Sequence, residues 1–338
     1  MNAMEVDFEI KNQNLKYKIL DKSMSIGGHT YYQIQAIKDF GNVKAGDLGG
    51  WVEDKKCLSQ EGNCWVCPQS FIEKNGRVYD NAQIIRSSVE NFGMVSGDAV
   101  VEDSYVRRHG KVRDKAKLSH SLVTDEGAVL GNAIVNNVSI VSDHAVVCDN
   151  ASLEETIVKD YAVVENNASV LYSALYNRAR VSDNARVFNS SLYDKTRVYE
   201  NAKVYEKTEL HDKSEIFGNT NVFSVVLKGT SRIYGDAKVV SEHLDIPALI
   251  LRDNAEICGN TNISRIFVVQ LKKPFELKGD MVLNNVSAEG KAALQTALDK
   301  EEERLLKKKY EETKIKDAER KKRLKLRKKV NQEVLVER

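Results

Sequence analysis

Six histidines and five cysteines are the side chains of this 338-residue sequence best suited to hold a metal or move a proton. The cysteines, at 57, 64, 67, 148 and 258, make no even, disulfide-like framework. Cys64 and Cys67 form a C-x-x-C with Cys57 nearby, but a zinc site needs a fourth ligand at matching spacing, and none follows. Thiols without a metal are the expectation. The histidines are His29, His109, His120, His144, His211 and His243. A histidine general base needs a pocket and a positioned substrate. His120 and His211 have Ser or Asp neighbours of a kind common on polar surfaces. No P-loop, dinucleotide fingerprint, H-E-x-x-H or nucleophile elbow is present. The sequence therefore assigns no catalytic, cofactor-binding or metal residue, and no cofactor.

The elements that would carry these side chains repeat. A polar residue recurs at Asn81, Asp98, Lys115, Asn132, Asn150, Asn167, Asn184, Asn201, Asn219, Asp236 and Asn254, always at an interval of 17 or 18. Alanine follows it ten times in eleven, and Thr220 the other time. Such fixed-period self-similarity marks a solenoid. Two further frames lie within each period. One runs from Ser87-x-Val89 to Thr208-x-Leu210, the other through Gly93-x-Val95, Gly110-x-Val112, Ala128-x-Leu130 and Ala145-x-Val147. Small-x-aliphatic thus occurs three times per period. Alternation over four or five residues is strand-like. Three short strands per lap give a triangular prism with Val, Leu and Ile on its axis and coils about 4.8 Å apart. Residues 81–254 then span about 50 Å. His109 and His144 precede Gly110 and Ala145 at one corner, two coils or about 10 Å apart, too far to share a metal. The asparagines suit tight corners in left-handed backbone conformation and can bond amide to amide between coils.

Three six-residue faces per lap resemble the hexapeptide-repeat, left-handed parallel β-helix proteins; handedness comes from that resemblance alone. The stretch "YYQIQAIKDFGNVKAGDLGGWVEDKKCLSQEGNCWV" at 31–66 resembles the lead-in of bacterial and phage proteins of the YdcK type, and the likeness extends over roughly 31–265. It implies a fold and a bacterial or phage setting, without an established activity. Trp51 and Trp65 are expected to plug the open end of the first coil, as a solenoid terminus requires. Pro274, in "LKKPFELKGDMVL" at 271–283, breaks the frame at the other end. The expected divisions are an N-terminal β cap at 1–62, the β-helix at 63–270, a cap or linker at 271–286 and a basic helix at 287–338, with Ser287 as N-cap.

Many hexapeptide-repeat proteins are acyltransferases, in which a loop protrudes from the coils beside a histidine base. No interval between Asn81 and Asn254 exceeds 18, which leaves no room for such a loop. The outward residues instead suggest an interface: Val129, Val146 and Val163 beside Leu122, Ile140 and Ile157. Further along, Arg178, Arg180, Lys195 and Arg197 cluster near Tyr176, Tyr193 and Tyr199, an arrangement able to contact phosphates or stacked bases, although Asp183, Asp194, Glu200 and Glu206 dilute the field and favour a salt-bridged surface.

Residues 301–338 carry 15 Lys and Arg against 9 Asp and Glu, while the rest of the chain carries 36 against 40. An acidic body thus bears a basic tail. Residues 291–330 contain no Gly or Pro and read as a helix, with Leu294, Leu298 and Leu305 on one stripe. Its run Arg320, Lys321, Lys322, Arg323, Lys325, Arg327, Lys328 and Lys329 could meet RNA, DNA or an acidic protein. No run of about 18 apolar residues is present, and a cytoplasmic protein of a bacterium or phage-infected cell is expected. The reading is an all-β solenoid acting as a non-enzymatic scaffold that self-associates or binds a protein partner, in a phage setting by blocking a host protein. An acyltransferase-like enzyme with a site between subunits and a nucleic-acid binder acting through its tail are the alternatives.

Overall fold

The computed structural model describes the backbone of residues 15–242, 249–267 and 275–336, and the side chains of 15–240, 249–264, 275–316 and 318. Each lap makes three short strands, as in Ser169–Leu171, Ala174–Leu175 and Arg180–Val181. Stacked parallel laps give three sheets among the described residues, of 13, 15 and 12 strands, here the middle, long and short sheets. The chain runs middle, long, short and middle again, turning at a first, second and third corner.

Register follows the repeat: Leu175 lies opposite Leu192, Val164 opposite Val181 and Val170 opposite Val187. Val181, Val187 and Leu192 have no exposed surface, so the aliphatic of each frame lies on the axis. Each such burial contributes about 1.5–3 kcal/mol. The Ser/Thr of the second frame is buried as well, and its hydroxyl is used. Ser104 N–H donates to Ser87 Oγ and Ser121 N–H to Ser104 Oγ, both at 3.0 Å.

At the third corner the amide ladder is present. Asn150 donates to Asn167, Asn167 to Asn184, Asn184 to Asn201 and Asn201 to Asn219, at 3.0–3.2 Å. The left-handed residue is the one before the ladder position, as at Asp80, Asp114, Asp149, Asn166 and Asp183, with φ of 57–64°. Its side chain accepts the next coil's N–H, as from Gly97 to Asp80 and Gly131 to Asp114, both at 2.9 Å. The ladder residue stacks while its predecessor turns the chain.

The N-terminal cap converts a hairpin into a solenoid. Strands β1 (Tyr17–Ile26) and β2 (His29–Ala36) pair antiparallel, β3 (Leu48–Val52) is antiparallel to β2, and β3 then lies parallel to Phe71–Ile72 of the first coils. A Cβ on Gly49 would lie 2.6 Å from Ile34 and from the Trp65 ring, and one on Gly50 2.6 Å from the carbonyls of Cys67 and Ser70. The Gly-Gly before Trp51 is thus needed for close approach, and both tryptophans are buried against the end. Lys16, buried, sends its amine to the carbonyls of Glu61, Gly62 and Cys64 at 3.0–3.2 Å, and to Cys64 Sγ at 3.1 Å. Burial holds its pKa below the ordinary lysine value.

The coils continue past residue 270. Phe275–Leu277, Val282–Asn284 and Ser287–Glu289 complete a last lap in register, so Ser287 starts a strand and helix α1 spans Gly290–Val336. Leu294 and Leu298 enter the core and Leu305 packs against it. Among the described residues no helix is long and apolar enough to cross a membrane.

One expectation about the repeat fails. Leu122 pairs with Ile140, an offset of 18, and Ala174 with Ser191, an offset of 17. Near the C-terminal end Val225 pairs with Leu249, an offset of 24, and Leu249 with Phe275, an offset of 26. Both laps lengthen between a middle and a long strand, after Lys238–Glu242 and after Asn262–Phe267. The extra residues, including His243, fall in 243–248 and 268–274, outside the described residues. Asn254 consequently belongs to the second corner, where it donates to Asp280 at 3.2 Å. Laps longer than 18 residues therefore occur, contrary to the spacing read from the sequence.

Candidate functional site

The second corner carries the chemistry. Its tips form two stacked rows. In the inner row Asp160, Asn177, Asp194 and Asp212 are left-handed, and their carboxylates brace the backbone: Asp160 Oδ2 accepts Asn177 N–H at 2.8 Å, Asp194 Oδ2 accepts Asp212 N–H at 3.1 Å and Asp212 Oδ2 accepts Gly229 N–H at 2.8 Å. The outer row is His109, Glu126, His144, Tyr161, Arg178, Lys195 and Lys213. Because those aspartates turn to the backbone, no ion pair to Arg178, Lys195 or Lys213 occurs among the described residues.

His144 sits between neighbours one coil away on either side. Its Nδ1 is 3.2 Å from Glu126 Oε2, and its ring stacks on Tyr161 at 4.8 Å. Its Nε2 has no partner among the described residues. The ring opens on a hollow of about 420 Å³ that also meets Arg108, His109, Asp125 and Asp143. One ring nitrogen thus lies within ion-pair distance of a carboxylate while the other is left without a partner among the described residues, a pairing from which a general base can be built. A second hollow of about 500 Å³ follows along the corner, from Tyr161 past Arg178 and Lys195 to Lys213. Arg178 lies over the Tyr161 ring at 5.8 Å.

The other histidines are placed differently. His109 stacks on Phe92 at 4.8 Å. His120 has both ring nitrogens engaged, Nδ1 with Ser119 Oγ at 2.9 Å and Nε2 with Asp103 Oδ2 at 3.6 Å. Hydrogen bonds from Arg86 hold that Asp103 carboxyl below its usual range. His211 Nε2 meets Glu209 at 3.2 Å, and His29 pairs with Glu53 in the cap. Sequence reasoning missed the Glu126–His144 pair because its members stand a full lap apart along the chain; superposing the tips coil by coil would have revealed it.

The apolar interface expected from the sequence is corrected in two ways. Val129 is fully buried and pairs with Val147, while Ala128 takes the outward place opposite Val146. The inward pair in that lap is Gly127 and Val129, one residue before the reading taken. Leu122, Ile140 and Ile157 do stack, on the long sheet, whereas Val146 and Val163 lie on the short sheet beyond the polar second corner. All five are half-buried and do not form one patch.

Of the cations singled out, Arg178 and Lys195 stand on the corner. Arg180 is bound to Glu165, with Nε at 2.8 Å, and Arg197 lies 3.9 Å from Glu215, both on the short sheet. The run 320–329 is helical, but its side chains lie outside the described residues. No group of three metal-ligating side chains occurs among the described residues. Cys64 faces Lys16 rather than Cys67.

No family model matches the chain. It is 47% identical over 58 residues to YdcK of Escherichia coli (strain K12), an uncharacterized acetyltransferase; the match covers 17% of this chain and 18% of that protein's length. A crystal structure described as a candidate acetyltransferase, from Desulfovibrio desulfuricans G20, shares 10% identity over 68% of this chain and 67% of its own, with a TM-score of 0.23. The YdcK resemblance read from the sequence thus holds over a short stretch, on a parallel β-solenoid like that of hexapeptide-repeat proteins. The relative is named as an acetyltransferase and is bacterial. That finding overturns the expectation of a non-enzymatic scaffold blocking a host protein, and favours the acyltransferase-like alternative.

Proposed function

We propose that the chain is an acyltransferase of the hexapeptide-repeat kind, with His144 as general base and Glu126 as the group that orients it. The observation carrying this reading is the geometry of His144: Nδ1 on a carboxylate, the second ring nitrogen unpartnered among the described residues, and a hollow before it. The relative's name supplies the acyl group, acetyl. In the reaction the acceptor's nucleophile gives its proton to His144 as it attacks the thioester carbonyl of an acetyl donor such as acetyl-CoA; the C–S bond then breaks, and the departing CoA thiolate takes the proton from His144 and leaves as the free thiol. The Glu126 carboxylate stabilises the imidazolium that forms. The hollow is open on one side, and a second copy seated on the Leu122, Ile140 and Ile157 stripe of the adjoining long sheet would wall it. The site thus belongs between subunits.

Steady-state release of free CoA thiol, measured with acetyl-CoA and a panel of amine and hydroxyl acceptors, tests the reading. His144→Ala is expected to lower kcat about 100-fold or more, and Glu126→Gln by less. Ile140→Lys with Ile157→Lys is expected to reduce both turnover and particle size. Unchanged turnover in His144→Ala would sink the assignment.

A further inference from the structure

The C-terminal end of the rod holds a slot unrelated to the second corner. Val282–Asn284 is the last strand of the short sheet, so its outer side has no strand partner. One coil earlier, Glu256 N–H donates to the carbonyl of Met281 in the following lap, at 2.9 Å. At Val282, where no further lap exists, the acceptor is the Glu301 carboxylate of α1, also at 2.9 Å. Glu301 thus stands where the carbonyl of an added strand would be, and Arg304 holds it there with two bonds of 2.7 Å. Between strand and helix lies a hollow of about 800 Å³. The half-buried Val282 and Val286 form its floor, and the small side chains Ala293 and Ala297 leave its helix wall open. Lys300 and Arg304 stand exposed on its rim, and Lys300 has no ion pair among the described residues. An edge strand facing a helix across an apolar slot is a setting in which extended peptides add to a sheet.

We infer that this slot takes residues 5–10 of a second copy of the chain, joining the rods head to tail. Those residues read Glu-Val-Asp-Phe-Glu-Ile. In extended conformation Val6, Phe8 and Ile10 share one side and Glu5, Asp7 and Glu9 the other. The apolar side matches the floor and the gap above Ala293 and Ala297; the acidic side matches Lys300. Reach decides whose segment it is. The 13 strands of the middle sheet put the two ends of the rod about 58 Å apart. The five residues from Ile10 to the first described residue, Leu15, span at most about 17 Å. A chain cannot fill its own slot, so the occupant comes from another copy. The incoming backbone takes the place of Glu301 at Val282 N–H, while Glu301 keeps its bonds from Arg304. Such a contact is heterologous and propagates until rotation closes it.

The test uses a fluorescent peptide of residues 1–14 and full-length protein carrying Phe8→Asp and Ile10→Asp, whose own segment is thereby disabled. Saturable binding is expected, weakened about tenfold by Ala297→Arg or Lys300→Glu, and likewise when Glu5, Asp7 and Glu9 of the peptide are changed to Lys. Sedimentation of the wild-type chain should show particles lengthening with concentration, a growth absent from Phe8→Asp/Ile10→Asp. The inference is overturned by failure of the peptide to bind, by binding indifferent to Ala297→Arg, or by lengthening that persists without Phe8 and Ile10. Its outcome is independent of acetyl transfer, which His144 tests separately.

Discussion

Through most of the rod each strand finds its partner at an offset of 17 or 18, whereas the last laps need 24 to 26. Yet Ile257 and Leu283 of those long laps are as buried as Val187 in the regular ones. Stacking constrains two or three residues per strand and the tight second and third corners, and leaves the first corner free to lengthen. Solenoids can thus vary one edge while three sheets stay in register.

Substitutions can break this comparison. Val187→Asp buries a carboxylate on the axis and is expected to cost about 4 kcal/mol or more, read as loss of the folded baseline in urea titration. Ile257→Asp should do the same; a long lap that tolerates it would mean that its core is looser than the regular one. Gly49→Val drives a side chain into Ile34 and Trp65, costing about 3 kcal/mol and lowering the melting temperature through the cap alone. Lys115 interrupts the amide ladder between Asp98 and Asn132, so Lys115→Asn should add a bond to Asn132 and raise stability by about 0.5–1 kcal/mol. The smallest effect concerns Glu90, whose pKa is raised from 4.5 by burial and by neighbouring Glu73. A raised folded pKa gives stability that is present below 4.5 and lost as pH rises through the elevated value. Glu90→Gln should flatten that decline in a series of melting curves.

The period, the axial aliphatics and the ladder were legible because each repeats a single physical requirement many times. Val129 was misread because Gly127-x-Val129 and Ala128-x-Leu130 both satisfy the frame, and a one-residue slip exchanges inside for outside. The lengthened laps were hidden because Asn254 happens to fall one ordinary interval after Asp236, although its corner equivalent is Asn260. The candidate base was illegible for a different reason. Glu126 and His144 are joined by stacking, and a scan for local motifs compares residues along the chain rather than across coils. Ion pairing of Arg180 and Arg197 was legible from the acidic residues around them, but their partners, Glu165 and Glu215, lie across the stack rather than among the neighbours along the chain.

The hydroxyl column at the first corner has a consequence for length. Ser87 and Ser104 each receive an N–H from the succeeding lap and give their own hydroxyl to a backbone carbonyl, of Ile85 and of Glu102, a pattern indifferent to side-chain identity in the neighbouring lap, so one storey is interchangeable with another. Excising residues 167–183, a single storey of the regular stack, should yield a soluble rod shorter by about 4.8 Å with both end fittings intact. The molecule is in effect a ruler graduated in storeys, its reach adjustable by whole steps.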